Sequence, residues 1–369
     1  MPRVAFVHDW LVTYRGGEKV LEALVQLYPE APIFTMFYDP KSLPDSLNSR
    51  HIIVNPFINR FCKIRKALLP FYPAIVENFE LFDYDIVIST SSCAAKGVLV
   101  HPNAKHICYM FSPMRYIWDQ RRHYDAEFSA IPGASFFMKL LAPKLRIWDV
   151  SSNNGVNEFV AISNYVKSRI KKFYRRDSSI IFPPVEIDAL PHEGEKIQNF
   201  KEYFVTAGAF VNYKRFDLAI KACINTGKKL VIVGSGPMEA SLRRLAGQHC
   251  KFVIAPTRHH WNELLFGAKA IIFPGTEDFG ITPIEALAMK TPIIAHKSGG
   301  ALDYVVPNKT GEFFIEQNVE SLSESLNNFN PHSYDRDYLR EFAQQFSTDS
   351  FIKQFRARMQ EFLGGRDHD

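Results

Sequence analysis

The chain has 369 residues, a formal net charge of +5, 46% hydrophobic and 22% charged residues. At roughly 100–200 residues per domain this length suggests two domains, and the composition excludes a disordered chain. The mild basic excess makes no demand for nucleic acid, and it favours anionic ligands or an anionic membrane surface.

Val4–His8 is a short apolar run of the kind found in a buried parallel strand. A loop with Gly16 and Gly17 follows, then Glu18–Leu27 reads as a helix with Val20, Leu21, Leu24 and Leu27 on one face. Ile33–Phe37, Ile52–Val54, Ile86–Ser89, His106–Met110 and Phe159–Ile162 read as further strands, the last followed by a basic helix from Asn164. Paired Pro183 and Pro184 break the pattern, so the linker is placed at 180–185. A second alternation follows. Its expected strands are Tyr203–Ala207, Lys229–Val233, Lys251–Ile254, Ala270–Phe273 and Pro292–Ala295; its expected helices are Phe216–Asn225, Met238–Leu245, Trp261–Phe266 and Pro283–Met289. Ser347 suits the start of a last helix with Phe351, Phe355, Met359 and Phe362 in one stripe. Such alternation predicts an α/β protein with parallel sheets covered on both faces. The expected domains are 1–182 and 187–346, with 347–369 a C-terminal helix crossing back to the first domain.

The five cysteines, Cys62, Cys93, Cys108, Cys223 and Cys250, are scattered and odd in number, which argues against a disulfide framework or a zinc site. Adjacent His259 and His260 cannot face one ion from the same side of an element, so no metal is expected. The N-terminus runs into a strand without a secretory apolar region, and no stretch reaches about 18 apolar residues. A cytoplasmic location, with peripheral contact at the inner face of the plasma membrane, is therefore expected.

The most informative segment runs from Phe273 to Ala286. A strand ends, a loop with Gly280 follows, and a helix starts near Thr282 with Pro283 at its first position. Glycine lets backbone approach a ligand, and free amides at a helix start bind anions. Glu277 in the loop and Glu285 in the helix flank that place, a combination suited to a sugar attached to a diphosphate. Thr282 and Glu285 also have capping-box spacing, so a simple cap remains open for Glu285. Lys214 and Arg215 form a basic pair at a helix start, where cations oppose the helix dipole; a solvated pair is the alternative to a ligand role. Val231–Pro237 is another strand ending in glycines, Gly234 and Gly236, a weak signal by itself.

The Glu277–Glu285 segment resembles the signature of the retaining glycosyltransferases of family 4: Glu277, Phe279, Gly280 and then Glu285 eight positions after the first glutamate. Ser298-Gly299-Gly300 and Lys309-Thr310-Gly311 are similar to that family's flanking motifs. The openings Val7–Leu11 and Arg15–Glu18, and the segment Tyr213–Asp217, look like those of bacterial mannosyltransferase-like members acting in surface-polysaccharide assembly. The resemblance implies two tandem Rossmann-like domains facing across a cleft, the GT-B architecture. It implies transfer of a hexose, mannose favoured, from a nucleotide-diphosphate sugar to a lipid-linked or saccharide acceptor, with GDP-mannose the favoured donor and no cofactor. By resemblance, Glu285 holds the ribose hydroxyls and Glu277 faces the sugar ring. The backbone of Phe279, Gly280 and Ile281 contacts sugar and phosphates. Lys214 and Arg215 neutralise the diphosphate, the backbone of Ala255–Arg258 meets the base, Gly234 and Gly236 border the nucleotide, and Gly16 and Gly17 close over the diphosphate from the other side, a plain strand-to-helix turn being the alternative for that last pair. Arg115, Tyr116 and Trp118 are acceptor-side expectations, as is Phe111.

Three positions depart from the family. Phe111 stands where relatives commonly carry a histidine near the donor sugar, Ser92 where they often have histidine, and Ala209 where many have an arginine against the phosphates. A phenyl ring cannot hydrogen-bond a hydroxyl, so the sugar lacks that hydroxyl, another residue supplies the contact, or catalysis is impaired. A non-catalytic nucleotide-sugar-binding partner of another transferase, and an epimerase or phosphorylase of the same architecture, are the alternatives. Phe57–Tyr72, Phe136–Arg146 and Tyr165–Arg176 interleave cations with large apolar groups and contain no acid. They suit an anionic membrane interface, or amphipathic helices with solvated basic faces.

Overall fold

The computed structural model describes residues 2–118, 134–191 and 202–364. The chain divides into two compact units, Met1–Pro184 with Ile352–Asp369, and Val185–Phe351.

The first unit holds a parallel sheet of seven strands in the order β3-β2-β1-β4-β5-β6-β7. They are β1 Val4–His8, β2 Ile33–Thr35, β3 Ile52–Ile53, β4 Ile86–Ser91, β5 Lys105–Met110, β6 Glu158–Ala161 and β7 Ser179–Ile180. The second holds a parallel sheet of six, β10-β9-β8-β11-β12-β13. Its strands are β8 Tyr203–Ala207, β9 Lys229–Val233, β10 Cys250–Val253, β11 Ile271–Phe273, β12 Ile293–His296 and β13 Gly311–Phe314. As in a parallel sheet covered on both faces, every residue of β1 and β4 is buried, the polar Ser89, Thr90 and Ser91 of β4 included. In each sheet the chain first builds outward in one direction and then returns to build the other way. The direction reverses between β1 and β4, and again between β8 and β11. Ligands of such sheets bind beyond the carboxyl ends of the strands at that reversal.

Several expected bounds shift. The first helix is Gly16–Val25, because the backbone N–H of Arg15 donates to Glu18 Oε2 at 2.9 Å and starts the helix two residues early. β7 takes up Ile180, so the break into the linker falls just after it, at the two prolines. β13 begins at Gly311, a residue read only as part of a motif. The stretch 56–72 is not one amphipathic helix: it is a turn of helix at Pro56–Asn59 and a 3₁₀ run at Cys62–Phe71, kinked at Ile64 and carrying Pro70. Asp119 and the side chains of Phe136, Phe137, Met138 and Lys139 lie outside the described residues.

Two buried charges organise the first unit near its chain reversal. Asp9, just past β1, accepts from the amides of Ser92, Cys93, Ala94 and Ala95 at 2.6–2.9 Å and from Ser92 Oγ at 3.0 Å. One carboxylate thereby fixes the loop that leaves β4. Burial pushes its pKa up, against the lowering effect of those donors. Lys96, fully buried, ends the same loop; its Nζ donates to Asp149 O and Ser152 Oγ, both at 2.6 Å, and lies 3.2 Å from Asp149 Oδ1.

His106 on β5 is buried between Ser89 Oγ, 2.8 Å from Nε2, and Gly155 O, 3.1 Å from Nδ1. A carbonyl only accepts, so Nδ1 donates and Nε2 accepts from the serine, leaving the ring neutral. Burial pulls its pKa down to about 4 from 6.5. The unfolded chain takes up a proton below about pH 6.5 that the native ring refuses, so this contribution to stability is present above pH 6.5 and is lost as pH falls toward 4. At about 1.4 kcal/mol per pKa unit the loss reaches roughly 3 kcal/mol. Urea unfolding between pH 7 and 4 is expected to show that slope, and His106→Gln to flatten it; an unchanged slope in the variant contradicts the assignment. His8, also pulled down by burial, leaves a residual slope.

Candidate active site

At the reversal of the second sheet, the loop after β8 and the loop after β11 meet. Lys214 and Glu277 come together there, Nζ to Oε1 at 2.8 Å, both mostly buried. The lysine reaches this place because residue 208 has no side chain: a Cβ there would lie 2.7 Å from Lys214 Nζ, and the φ of +138° is itself unfavourable for other residues. The neighbouring Arg215 is occupied differently. It stands at φ +53° before the helix Phe216–Asn225, and its guanidinium pairs with Asp217 at 3.0 Å. Of the basic pair read from the sequence, only Lys214 is placed against Glu277.

Beyond Glu277 the backbone turns at Gly280, φ +90°, into the helix Ile281–Ala288. A Cβ at residue 280 would lie 2.5 Å from the Phe273 ring and 2.9 Å from Tyr304 Oη, so the turn closes only with glycine. Gly280 is the cap, and Pro283 is the third helical residue rather than the first. Glu285 is therefore too far along to be a capping-box partner of Thr282. Its carboxylate turns instead to the helix Arg258–Phe266, accepting from Arg258 Nη1 at 2.6 Å and from Trp261 Nε1 at 3.1 Å. The capping alternative for Glu285 is thereby removed.

The Phe279 side chain is buried against Tyr304 and Phe346, so only its backbone is available to a ligand. Tyr304 Oη donates to Phe279 O at 2.9 Å; burial pushes its phenol up, keeping it a donor. Thr310 Oγ1 donates to Tyr304 O at 2.7 Å, which gives the Thr310-Gly311 motif a mechanical role behind the loop. Gly300 N donates to Glu277 O at 2.9 Å and bolts the Ser298–Gly300 turn onto the same loop. Ser298 Oγ lies 2.6 Å from His296 Nδ1 and 2.7 Å from Thr276 Oγ1. Gly234 and Gly236 lie in the loop after β9, bonded alongside the Gly208–Phe210 loop through Gly208 N to Val233 O and Phe210 N to Ser235 O, both 2.9 Å.

In the first unit, Gly16 and Gly17 begin the first helix beside the end of β1. A Cβ on Gly17 would lie 3.4 Å from the ring of Phe111, which leaves the end of β5 and meets His8 edge-on. His8 Nδ1 is 2.6 Å from Thr90 Oγ1, a buried structural contact. Ser92 is spent on Asp9. Of the acceptor-side expectations, Arg115 Nε donates to Ser112 Oγ at 3.3 Å, and Tyr116 packs against the apolar core. Trp118 is held by the protein itself: its indole N–H donates to Asp149 Oδ2 at 2.7 Å and its ring stacks on Phe173 at 4.8 Å. No group of acidic, histidine or cysteine side chains among the described residues is arranged to hold a metal.

Arg258, Trp261, Asp188 and Asn262 were not read as site side chains. The first two stand three apart on one helix face, a spacing that puts both on one partner; nothing local in the sequence identifies Glu285 as that partner.

Residues 191–346 match the model of the glycosyl transferases group 1 family. The chain is 26% identical to O-antigen chain mannosyltransferase C of Escherichia coli over 92% of both chains. It is 26% identical to the O-antigen chain mannosyltransferase RfbU of Salmonella typhimurium over 52% of this chain and 59% of that one. Among solved structures, Anabaena HepE in complex with UDP superposes with a TM-score of 0.71 at 13% identity, covering 97% of this chain and 100% of that one. Sucrose-phosphate synthase from Thermosynechococcus elongatus does so with 0.71 at 17% identity, over 98% and 99%. The chain is a hexosyltransferase with the GT-B fold, and its residues 191–346 are a glycosyl transferases group 1 domain.

Proposed function

We propose that this enzyme is a retaining mannosyltransferase that moves mannose from GDP-mannose to a lipid-linked or saccharide acceptor in polysaccharide assembly. The first unit serves the acceptor and the second the donor. The observation that carries the site assignment is the Lys214–Glu277 pair at the reversal of the second sheet. Without donor, each charge balances the other. With donor, Lys214 turns to the diphosphate and Glu277 to a sugar hydroxyl, both side chains being already aimed at the same place. The acceptor hydroxyl attacks the face from which the diphosphate leaves, and a departing phosphate oxygen takes its proton. The glycosidic carbon exchanges one oxygen for another with its configuration kept. Support for mannose comes from the O-antigen mannosyltransferase relatives, and support for a nucleoside diphosphate from the UDP-bound fold neighbour. Phe111 offers no hydrogen bond, so the sugar contact made elsewhere by histidine falls to other groups.

A thermal-shift comparison of GDP-mannose, UDP-glucose and a GDP-deoxyhexose tests the donor, since a ligand that binds the native state raises Tm by mass action. GDP-mannose is expected to give the largest rise. A larger rise with UDP-glucose overturns the donor choice, and no rise with any of them overturns the site.

The membrane reading rests on exposed apolar groups set among cations. Phe57, Phe61, Ile64 and Phe71 are exposed beside Arg60 and Lys63, and Leu140 and Ile147 are exposed on the helix Ala134–Ser151, which packs against that segment. Patches of this kind mark interaction surfaces. Flotation with phosphatidylglycerol vesicles is expected to capture the protein at low salt and release it as salt rises. Absence of capture at low salt contradicts the reading. No helix among the described residues is long and apolar enough to cross a membrane.

A further inference from the structure

The carboxylate of Glu285 is held on both oxygens by one helix face, and its principal holder is held in turn. Arg258 Nη1 reaches Oε1 at 2.6 Å and Trp261 Nε1 reaches Oε2 at 3.1 Å. Arg258 Nε donates to Asp188 Oδ2 at 2.5 Å, and Nη2 donates to Glu186 O at 3.1 Å. Asp188 Oδ2 also accepts from Asn262 Nδ2 at 2.9 Å, and its carbonyl accepts from Arg340 Nη2 at 2.9 Å. The guanidinium therefore cannot swing away from Glu285 without breaking several bonds at once. Burial opposes its charge, but Glu285 and Asp188 outweigh that and raise its pKa, so it stays protonated.

We infer that Arg258 is a positioning residue for the nucleoside end of the donor, acting through Glu285. A carboxylate has about four lone-pair sites. Arg258 and Trp261 take one on each oxygen, which fixes the plane of the group and leaves the remaining sites for a vicinal pair of ribose hydroxyls. The guanidinium fork is what sets that plane; an ammonium on the same stem supplies charge without it. Asp188 and Glu186, in the segment that opens the second unit, keep the fork in place. This inference rests on Glu285 being the ribose ligand.

The test is a set of calorimetric titrations with GDP and with UDP on the full chain, alongside donor KM and kcat. Glu285→Gln is expected to weaken nucleotide binding. Arg258→Lys is expected to weaken it about tenfold, with KM raised and kcat little changed. In the Glu285→Gln background, Arg258→Lys is expected to add almost nothing, because groups acting as one unit are not additive. Trp261→Phe keeps the ring and loses only the N–H. It is expected to weaken binding severalfold with Glu285 present and not without it, and it serves as the second variant should Arg258→Lys lower Tm. If Glu285→Gln binds nucleotide normally, the ribose assignment fails and the inference fails with it. If Glu285→Gln weakens binding but Arg258→Lys is silent, or costs the same factor in both backgrounds, the site assignment stands and the inference alone is overturned.

Discussion

Lys214→Ala is expected to lower kcat by about 10²–10³, with Tm little changed, which is the scale found when one preorganised donor to a developing anion is removed. The side chain lies across Gly208 at the carboxyl end of β8, mostly buried, with Glu277 2.8 Å away. In the proposed mechanism negative charge grows on the departing diphosphate, and a cation fixed there in advance needs no reorganisation when the bond breaks. Truncating Lys214 opens the space beside Glu277, whose side chain is 17% exposed, to water, and this limits the loss of stability. Lys214→Arg is expected to rescue poorly, because the lysine already fills the space that a Gly208 side chain would occupy. Steady-state kinetics of the three proteins check this; wild-type kcat in Lys214→Ala contradicts it.

Lys96→Ala is expected to be the most damaging single change to the fold. The ammonium is fully buried with Asp149 and lies 4.9 Å from the centre of the Tyr174 ring and 5.5 Å from that of Trp148. Tyr174 Oη donates to the same carboxylate at 3.0–3.1 Å and Trp118 Nε1 at 2.7 Å. Removing the cation leaves Asp149 buried without its counter-charge, a loss on the order of 3–5 kcal/mol. For a unit of this size that is a fall in Tm of very roughly 6–20 °C. Removing both charges together, as in Lys96→Met with Asp149→Leu, is expected to recover a large part of the loss, since the isolated charge is the costly species. Thermal unfolding of the single and double variants measures this; a single variant as stable as wild type contradicts it.

What the sequence made readable is what has a short period or a local spacing. Strands Tyr203–Ala207 and Lys229–Val233 and the helix Phe216–Asn225 lie where the apolar runs place them. The Glu277–Glu285 segment is a loop into a helix start, as glycine and proline together suggest. What was not readable depends on partners distant in the chain. Asp9 looks like a residue after a strand, and only the fold sets it under the amides of Ser92–Ala95. Glu285 and Thr282 have a capping-box spacing that the extra turn at Gly280 disables, and the glutamate's real partners come from a different helix. Trp118 is an acceptor-side expectation from resemblance, and only the fold shows that its indole N–H is bound by Asp149, thirty-one positions away. In the stretch 57–72, for which an amphipathic helix is the alternative to a membrane interface, Pro70 and the kink at Ile64 leave only shorter turns. The surviving feature there is composition: exposed phenylalanines among cations, whatever the backbone path.

The measurement that bears most directly on the central claim is transfer of radiolabelled mannose from GDP-mannose into lipid extract or oligosaccharide acceptor, run with wild type, Glu277→Gln and Lys214→Ala, with the anomeric configuration of the product read by NMR. Wild type is expected to transfer mannose with the donor's anomeric configuration kept, and both variants to transfer it far more slowly while remaining folded. Mannose transfer at the wild-type rate by both variants, or an inverted product, would contradict the account.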